Sequence, residues 1–228
     1  MLALLRYFSF SINRDNSNGV DILRDKAPTM SGKDKRKSLV LCISGMAGTG
    51  KSTLSKKLAA RYGLKYYSGG DALKALAAEE GYDTSSRGFW ESPEGLKFLK
   101  RREEDSKFDK AVDEKLLELA DRGNVLLDSW TMPWLVKSGF KIWLLASMKK
   151  RAERVAKRDK FTVEEAMRML KEKESKTIAI YKQLYGFSLG EDYKPFDLVF
   201  DTDNLDSEEV FQVLCNVVEN VVLRRKNS

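Results

Sequence analysis

Apolar and polar positions fall into a regular alternation of short runs only from Leu39 onward. Leu39-Val-Leu-Cys-Ile43 is an unbroken apolar run and reads as a buried strand. From Thr53 to Tyr62, Leu54, Leu58 and Tyr62 recur at helical spacing, and Gly63 is placed to stop the helix. Leu64–Tyr67, Val125–Asp128, Lys141–Leu145 and Asp197–Asp201 read as four more strands, separated by helical patterns. Strands alternating with helices imply a parallel sheet with right-handed crossovers. The run Ile142-Trp-Leu-Leu-Ala146 lacks polar alternation, as expected of a strand covered on both faces. The pattern therefore predicts an α/β fold with a five-stranded parallel sheet flanked by helices.

Two long stretches interrupt the alternation, Asp71–Asn124 and Ser147–Pro195, both mostly helical in pattern. Within the second, Thr162-Val-Glu-Glu165 spells a capping box that starts a helix. A last helix begins near Asp206-Ser-Glu-Glu and turns Val210, Leu214, Val217, Val218 and Val221 inward. There is no internal repeat. Residues 1–38 stand apart. Their first ten residues are apolar but too short for a membrane span, Arg6 interrupts them, and a polar stretch follows. They read as a disordered extension, or as a start placed ahead of a natural Met30, with a targeting presequence as the alternative.

Charge changes this picture little. The net charge is +7, but residues 1–38 carry eight basic and four acidic side chains, and Arg224, Arg225 and Lys226 supply the remainder. Residues 39–223 are therefore close to neutral, which argues against nucleic-acid binding by the folded body. With no histidine, imidazole acid–base chemistry and histidine-ligated metals are excluded. Two cysteines far apart, Cys42 and Cys215, read as reduced core thiols, which fits a cytoplasmic enzyme.

The chemistry is carried by Gly45-Met46-Ala47-Gly48-Thr49-Gly50-Lys51-Ser52, followed by Thr53. This is the P-loop pattern between an apolar strand and an amphipathic helix, the context it requires. Glycines let backbone amides turn inward as a nest for the phosphates of ATP. Lys51 reaches the β- and γ-phosphates, and Ser52 offers a hydroxyl to Mg²⁺. Asp128, ending an apolar strand, is the second candidate for the Mg²⁺ shell. Ser147–Lys160 is dense in cations, and Arg151, Arg154 and Arg158 share one helix face. Arg154 and Arg158 are the candidates for screening charge on a transferring phosphoryl group from a closing lid.

With these residues placed, the chain resembles the adenylate/cytidylate kinase group, above all the archaeal type of cytidylate kinase, over about residues 39–222. The segments that carry the resemblance are Ser68-Gly-Gly-Asp-Ala-Leu-Lys74, Phe108-Asp-Lys-Ala-Val-Asp113, Val125-Leu-Leu-Asp128, Arg151-Ala-Glu-Arg-Val-Ala-Lys-Arg158, and Tyr181-Lys-Gln-Leu-Tyr-Gly186 followed by Phe196–Thr202. The resemblance implies phosphoryl transfer from MgATP to a nucleoside monophosphate, CMP or dCMP first. Acceptor contacts would fall to Ser68, Gly70, Asp71, Lys74, Asp109 and Asp113, and Asn204 would lie near the adenine. It implies an acceptor-binding region at 71–123 and a lid at 147–195 within one domain, 39–228. Departures cluster on the acceptor side. Lys74 stands where the family has arginine, Trp130 and Trp134 lie where arginines are usual, and Lys173 and Ile180 take places near lid arginines. An insert, Tyr82–Arg102, brings Arg87, Phe89, Trp90, Arg101 and Arg102, as replacement cations with a stacking surface or as ordinary packing. Another nucleotide or small metabolite as acceptor, and an ATPase-like assembly factor on the same scaffold, remain open.

Overall fold

The computed structural model describes residues 39–85 and 88–224. Residues 1–38, Arg87 and the end of the basic tail lie outside the described residues, and so do the expectations placed on them. Five strands form one parallel sheet: β1 (Val40–Gly45), β2 (Lys65–Ser68), β3 (Val125–Asp128), β4 (Phe140–Leu145) and β5 (Leu198–Asp201), in the order β2-β3-β1-β4-β5. Each strand lies within three residues of its expected bounds. The helices are α1 (Lys51–Tyr62), α2 (Gly69–Glu79), α3 (Pro93–Glu104), α4 (Lys107–Arg122), α5 (Met132–Leu135), α6 (Met148–Asp159), α7 (Val163–Tyr185) and α8 (Ser207–Val217), with a 3₁₀ turn at Phe89–Glu91.

The unbroken apolar strands follow from burial on both sheet faces. Val40, Cys42, Val125 and Leu127 point into one core with α2, α3 and α4. Leu41, Ile43, Leu126, Ile142 and Leu144 point into the other, with α1 and α8. Cys42 and Cys215 are both buried and free, and burial pushes the Cys42 thiol up to about 12, so it is an inert core residue. Both acidic starts named from the sequence are capping boxes: Thr162 with Glu165 opens α7, and Asp206 with Glu209 opens α8. The buried row of the last helix is Val210, Leu214, Val218 and Val222, so Val222 takes the fully buried place expected of Val221. The chain passes into a π-helical turn at Val218–Val222, whose wider winding shifts the phase. Among the described residues no helix is long and apolar enough to cross a membrane.

Topology fixes where chemistry can occur. β1 is central, with β3 on one side and β4 on the other, and the chain leaves its end to build opposite halves of the sheet. The crevice beyond the strand ends at such a switch point is where ligands bind in open α/β sheets. Asp128 is in register with Ile43 on one side and Ser68 on the other, so β1, β2 and β3 end together at this crevice.

Candidate active site

Gly45 to Gly50 joins β1 directly to α1. Gly48 has φ +84° and Gly50 φ +90°, a left-handed backbone that side chains oppose. Because Gly50 caps the helix in that conformation, α1 begins at Lys51, two residues earlier than its apolar spacing predicts. The loop is locked from below. The Thr49 hydroxyl donates to the Met46 carbonyl at 2.9 Å, and the Trp130 indole N–H donates to the Gly45 carbonyl at 2.6 Å. Met46 packs in the aromatic cluster beside Gly190. A cleft of about 270 Å³ opens above, lined here by Ala47, Gly48, Lys51 and Ser52, with Asp128 opposite. Thr53 is exposed on α1 outside that lining.

Lys51 shares the cleft with Asp128 and stands 5.5 Å from the centre of the Trp130 ring. Burial holds its ammonium below the ordinary lysine value, while Asp128 works in the opposite direction. Asp128 itself is 3% exposed and accepts a hydrogen bond from the Tyr66 hydroxyl at 3.0 Å. Burial and then the Asp128 charge push the Tyr66 phenol above its usual range, so it remains a donor at neutral pH.

The three arginines of α6 share a face in the sequence but not a role in the structure. Arg151 is buried. It pairs with Glu174 of α7 through both guanidinium ends, and donates to the carbonyls of Ala47 and Ala146, each at 3.1 Å. Arg154 donates to the Thr202 carbonyl at 2.9 Å, with longer contacts to the Thr202 hydroxyl and the Thr49 carbonyl. It ties the P-loop to the end of β5 and is not among the residues lining the cleft. Arg158 alone reaches the cleft wall, paired with Asp159 and 3.6 Å from Glu91. Asn204 is exposed just past β5, beside Asp203, whose carboxylate accepts from the Ser147 amide at 2.7 Å.

The far end of the cleft is built by α2, α3 and α4. Ser68 caps α2 by accepting from the Asp71 amide, and Gly70, Asp71 and Lys74 line the opening beside it. Adjacent insert arginines have opposite fates. Arg101 lies on the outer side of α3 near Glu104 and Asp105, away from the cleft, which corrects its assignment as an acceptor cation. Arg102 is buried on the cleft side, where it donates to both oxygens of Asp109 and to the Tyr181 hydroxyl. Burial disfavours the Arg102 charge, yet Asp109 outweighs it and holds the guanidinium above its ordinary range. Asp113, one turn on, accepts from the hydroxyls of Thr131 and Tyr185, both at 2.6 Å. Burial pushes its carboxyl up to about 7 against those two donors. Both insert aromatics line the cleft, Phe89 as a fully buried core residue and Trp90 half-buried.

Several residues here were missed as site residues in the sequence. Lys173 comes in from the middle of α7, donates to Glu91 at 2.8 Å, and lies over the faces of Trp90 and Trp130. Glu91, Tyr66 and Trp130 complete the surroundings of Lys51 and Asp128. The signal for Lys173 was its helical phase, since Leu170, Lys173, Glu174 and Thr177 form one buried row. The tryptophans at arginine positions have a packing role as well: Trp134 stacks on Phe187 at 4.1 Å and meets Trp143 and Phe196 edge-on.

Comparison with known proteins agrees with this geometry. The profile of the cytidylate kinase-like family matches residues 40–204. A cytidylate kinase of Pyrococcus horikoshii is 36% identical across 83% of this chain and 91% of its own length. One from Methanocaldococcus jannaschii is 31% identical across 80% and 99% respectively. Among solved structures, an uncharacterized protein from Eubacterium ventriosum superposes with TM-score 0.53 at 16% identity, covering 81% of this chain and 99% of that one. A shikimate kinase from Acinetobacter baumannii in complex with shikimate gives TM-score 0.50 at 16% identity, covering 81% and 95%, a likeness of fold alone. A P-loop facing a buried aspartate across one cleft, on a 2-3-1-4-5 parallel sheet, in a chain matched by the family profile over 165 of its residues, places this protein in the cytidylate kinase-like family.

Proposed function

We propose that this chain transfers the γ-phosphoryl group of ATP to a nucleoside monophosphate, with CMP or dCMP as acceptor. One observation carries the proposal: a single cleft joins the P-loop, with Lys51, Ser52 and Asp128, to Gly70, Asp71, Lys74, Asp109 and Asp113 at its other end. Donor and acceptor held at two ends of one cleft meet in line, and orientation of this kind supplies a large share of a phosphoryl-transfer barrier. The relatives named cytidylate kinases supply the choice of base.

Among the described residues no group of three or more acidic or thiol side chains forms a metal site by itself. That suits Mg²⁺, which is usually held by one or two protein oxygens together with substrate phosphates. Ser52 and Asp128 would hold it, and it would neutralise charge on the β- and γ-phosphates. The P-loop amides and Lys51 bind the donor, whose negative charge favours the ammonium that burial disfavours. Lys74 and Arg158 line the cleft as cations, and Arg102, in the same lining, is held by Asp109. Asp113 and Asp109 form a polar floor able to accept from an acceptor's amino or hydroxyl groups. No covalent enzyme intermediate is needed.

A panel of ATP with CMP, dCMP, UMP, AMP, GMP and nucleosides tests the assignment by ADP formation. CMP or dCMP should stimulate turnover most, and Lys74→Ala should raise the acceptor KM by roughly ten- to hundred-fold while leaving ATP binding nearly unchanged. Turnover that no monophosphate stimulates would rule the proposal out in favour of an uncharged acceptor or an ATPase-like factor.

A further inference from the structure

The insert brings two charged side chains to the cleft, Arg102, which is held by Asp109, and a carboxylate, Glu91. Glu91 ends the 3₁₀ turn Phe89–Glu91, is 5% exposed, and lines the cleft. Its two oxygens face cations from two different helices: Oε1 is 2.8 Å from Lys173 of α7, and Oε2 is 3.6 Å from the Arg158 guanidinium at the end of α6. We propose that Glu91 is the positioning residue that holds Lys173 and Arg158 over the path between donor and acceptor phosphates. This deepens the reading of the cleft as a phosphoryl-transfer site and rests on it.

The charges around Lys173 make a holder necessary. Its ammonium and that of Lys51 lie over the same indole, Trp130, at 5.9 and 5.5 Å, so two like charges are confined in a mostly buried site. Glu91 faces Lys173 from the turn, the same cleft holds Lys51 of α1, Asp128 of β3 and Arg158 of α6, and Glu174, its neighbour on α7, is engaged by Arg151. Asp128 is bound by Tyr66 and opposes Lys51. Glu91 is therefore the carboxylate joined to Lys173 by a hydrogen bond in this group. A lysine ends in a point charge on a flexible stem and lacks the rigid fork with which an arginine fixes itself. Without an anion beside it, repulsion from Lys51 would move the ammonium out of place. Stability alone is a weak account of the pair, since burying two charges is seldom better than apolar packing.

The experiment compares the full chain with Glu91→Gln, Glu91→Asp, Lys173→Gln and the Glu91→Gln/Lys173→Gln double variant, in steady-state assays with ATP and CMP varied independently. Glu91→Gln should lower kcat about tenfold or more and change either KM by less than about threefold, the pattern of an interaction made in the transition state. The double variant should lose less than the product of the two single losses, because part of what Glu91 does passes through Lys173 and the rest through Arg158. Glu91→Asp, which keeps the charge on a shorter arm, should recover part of the loss, and it carries the test if the glutamine variant does not fold. A Glu91→Gln enzyme with kcat within about twofold of the parent, or losses that multiply in the double variant, would overturn the proposal. If the parent transfers to no monophosphate, the acceptor assignment fails separately. The same variants are then compared in ATP hydrolysis, where a coupled loss supports the role of Glu91 and an unchanged rate removes it.

Discussion

Replacing Arg151 by alanine should damage the fold more than the chemistry, the reverse of what its place in a cationic lid segment suggests. In the structure Arg151 and Glu174 each have a side chain 7% exposed, and the guanidinium also serves the carbonyls of Ala47 and Ala146. Removing one member of a buried pair leaves the other charged and unpaired, which costs about 3–5 kcal/mol. For a domain of this size, 1 kcal/mol lowers Tm by roughly 2–4 °C, so a fall of about 10 °C is expected. Arg158→Ala is the contrast: that side chain is 56% exposed, so Tm should hold while kcat falls. A double change of Arg151 and Glu174 to methionine should recover much of the loss, because it removes both charges together. Differential scanning calorimetry with parallel turnover assays separates the cases. An Arg151→Ala protein that melts within about 2 °C of the parent but has lost its activity would show that the arginine acts on substrate and that the buried pair contributes little.

Two further outcomes follow from the site. Lys51→Ala should reduce phosphoryl transfer by orders of magnitude with the fold intact, as read by single-turnover kinetics and circular dichroism, because the lysine meets donor phosphates rather than core. Asp113 has a folded pKa of about 7, above its unfolded value of 3.8, so the native state keeps a proton that the unfolded chain releases. Stability from this group should therefore decline as pH rises from about 4 to about 7, by up to roughly 1.4 kcal/mol per pH unit, and Asp113→Asn should flatten that slope in urea titrations. An unchanged slope in the asparagine variant would mean that the carboxyl is ionised throughout.

What could be read from the sequence was whatever short-range chemistry encodes. Gly45 to Ser52, the capping box at Thr162, the helix start at Asp206 and the doubly apolar strands each specify local geometry, and each formed as expected. Long-range placement was harder. Arg101 and Arg102 are equally basic neighbours, yet only Arg102 continues the buried row of Gly95, Phe98 and Leu99, and a Cβ at Gly95 would lie 1.9 Å from the Phe89 carbonyl. That row was present in the sequence as helical phase, but its depth depended on how the Phe89–Glu91 turn lies against α3. Glu91 carried no local signal at all, because it acquires its partners from α6 and α7, more than sixty residues further on. The three α6 arginines show the same limit: a shared face says which way side chains leave a helix, not how far each has to reach.

The indole of Trp130 has a consequence for how the protein can be observed. It donates to the carbonyl at the root of the P-loop, and its ring carries two lysine ammoniums within 6 Å. Indole emission responds to nearby charge. A polyphosphate that draws Lys51 and Lys173 toward itself would change the field across the ring without touching it. The chain has four tryptophans, and Trp143 and Trp134 lie in the aromatic cluster away from the cleft lining. Occupancy of the P-loop thus has an optical signature built into the wall of the cleft, legible by fluorescence in the unlabelled protein.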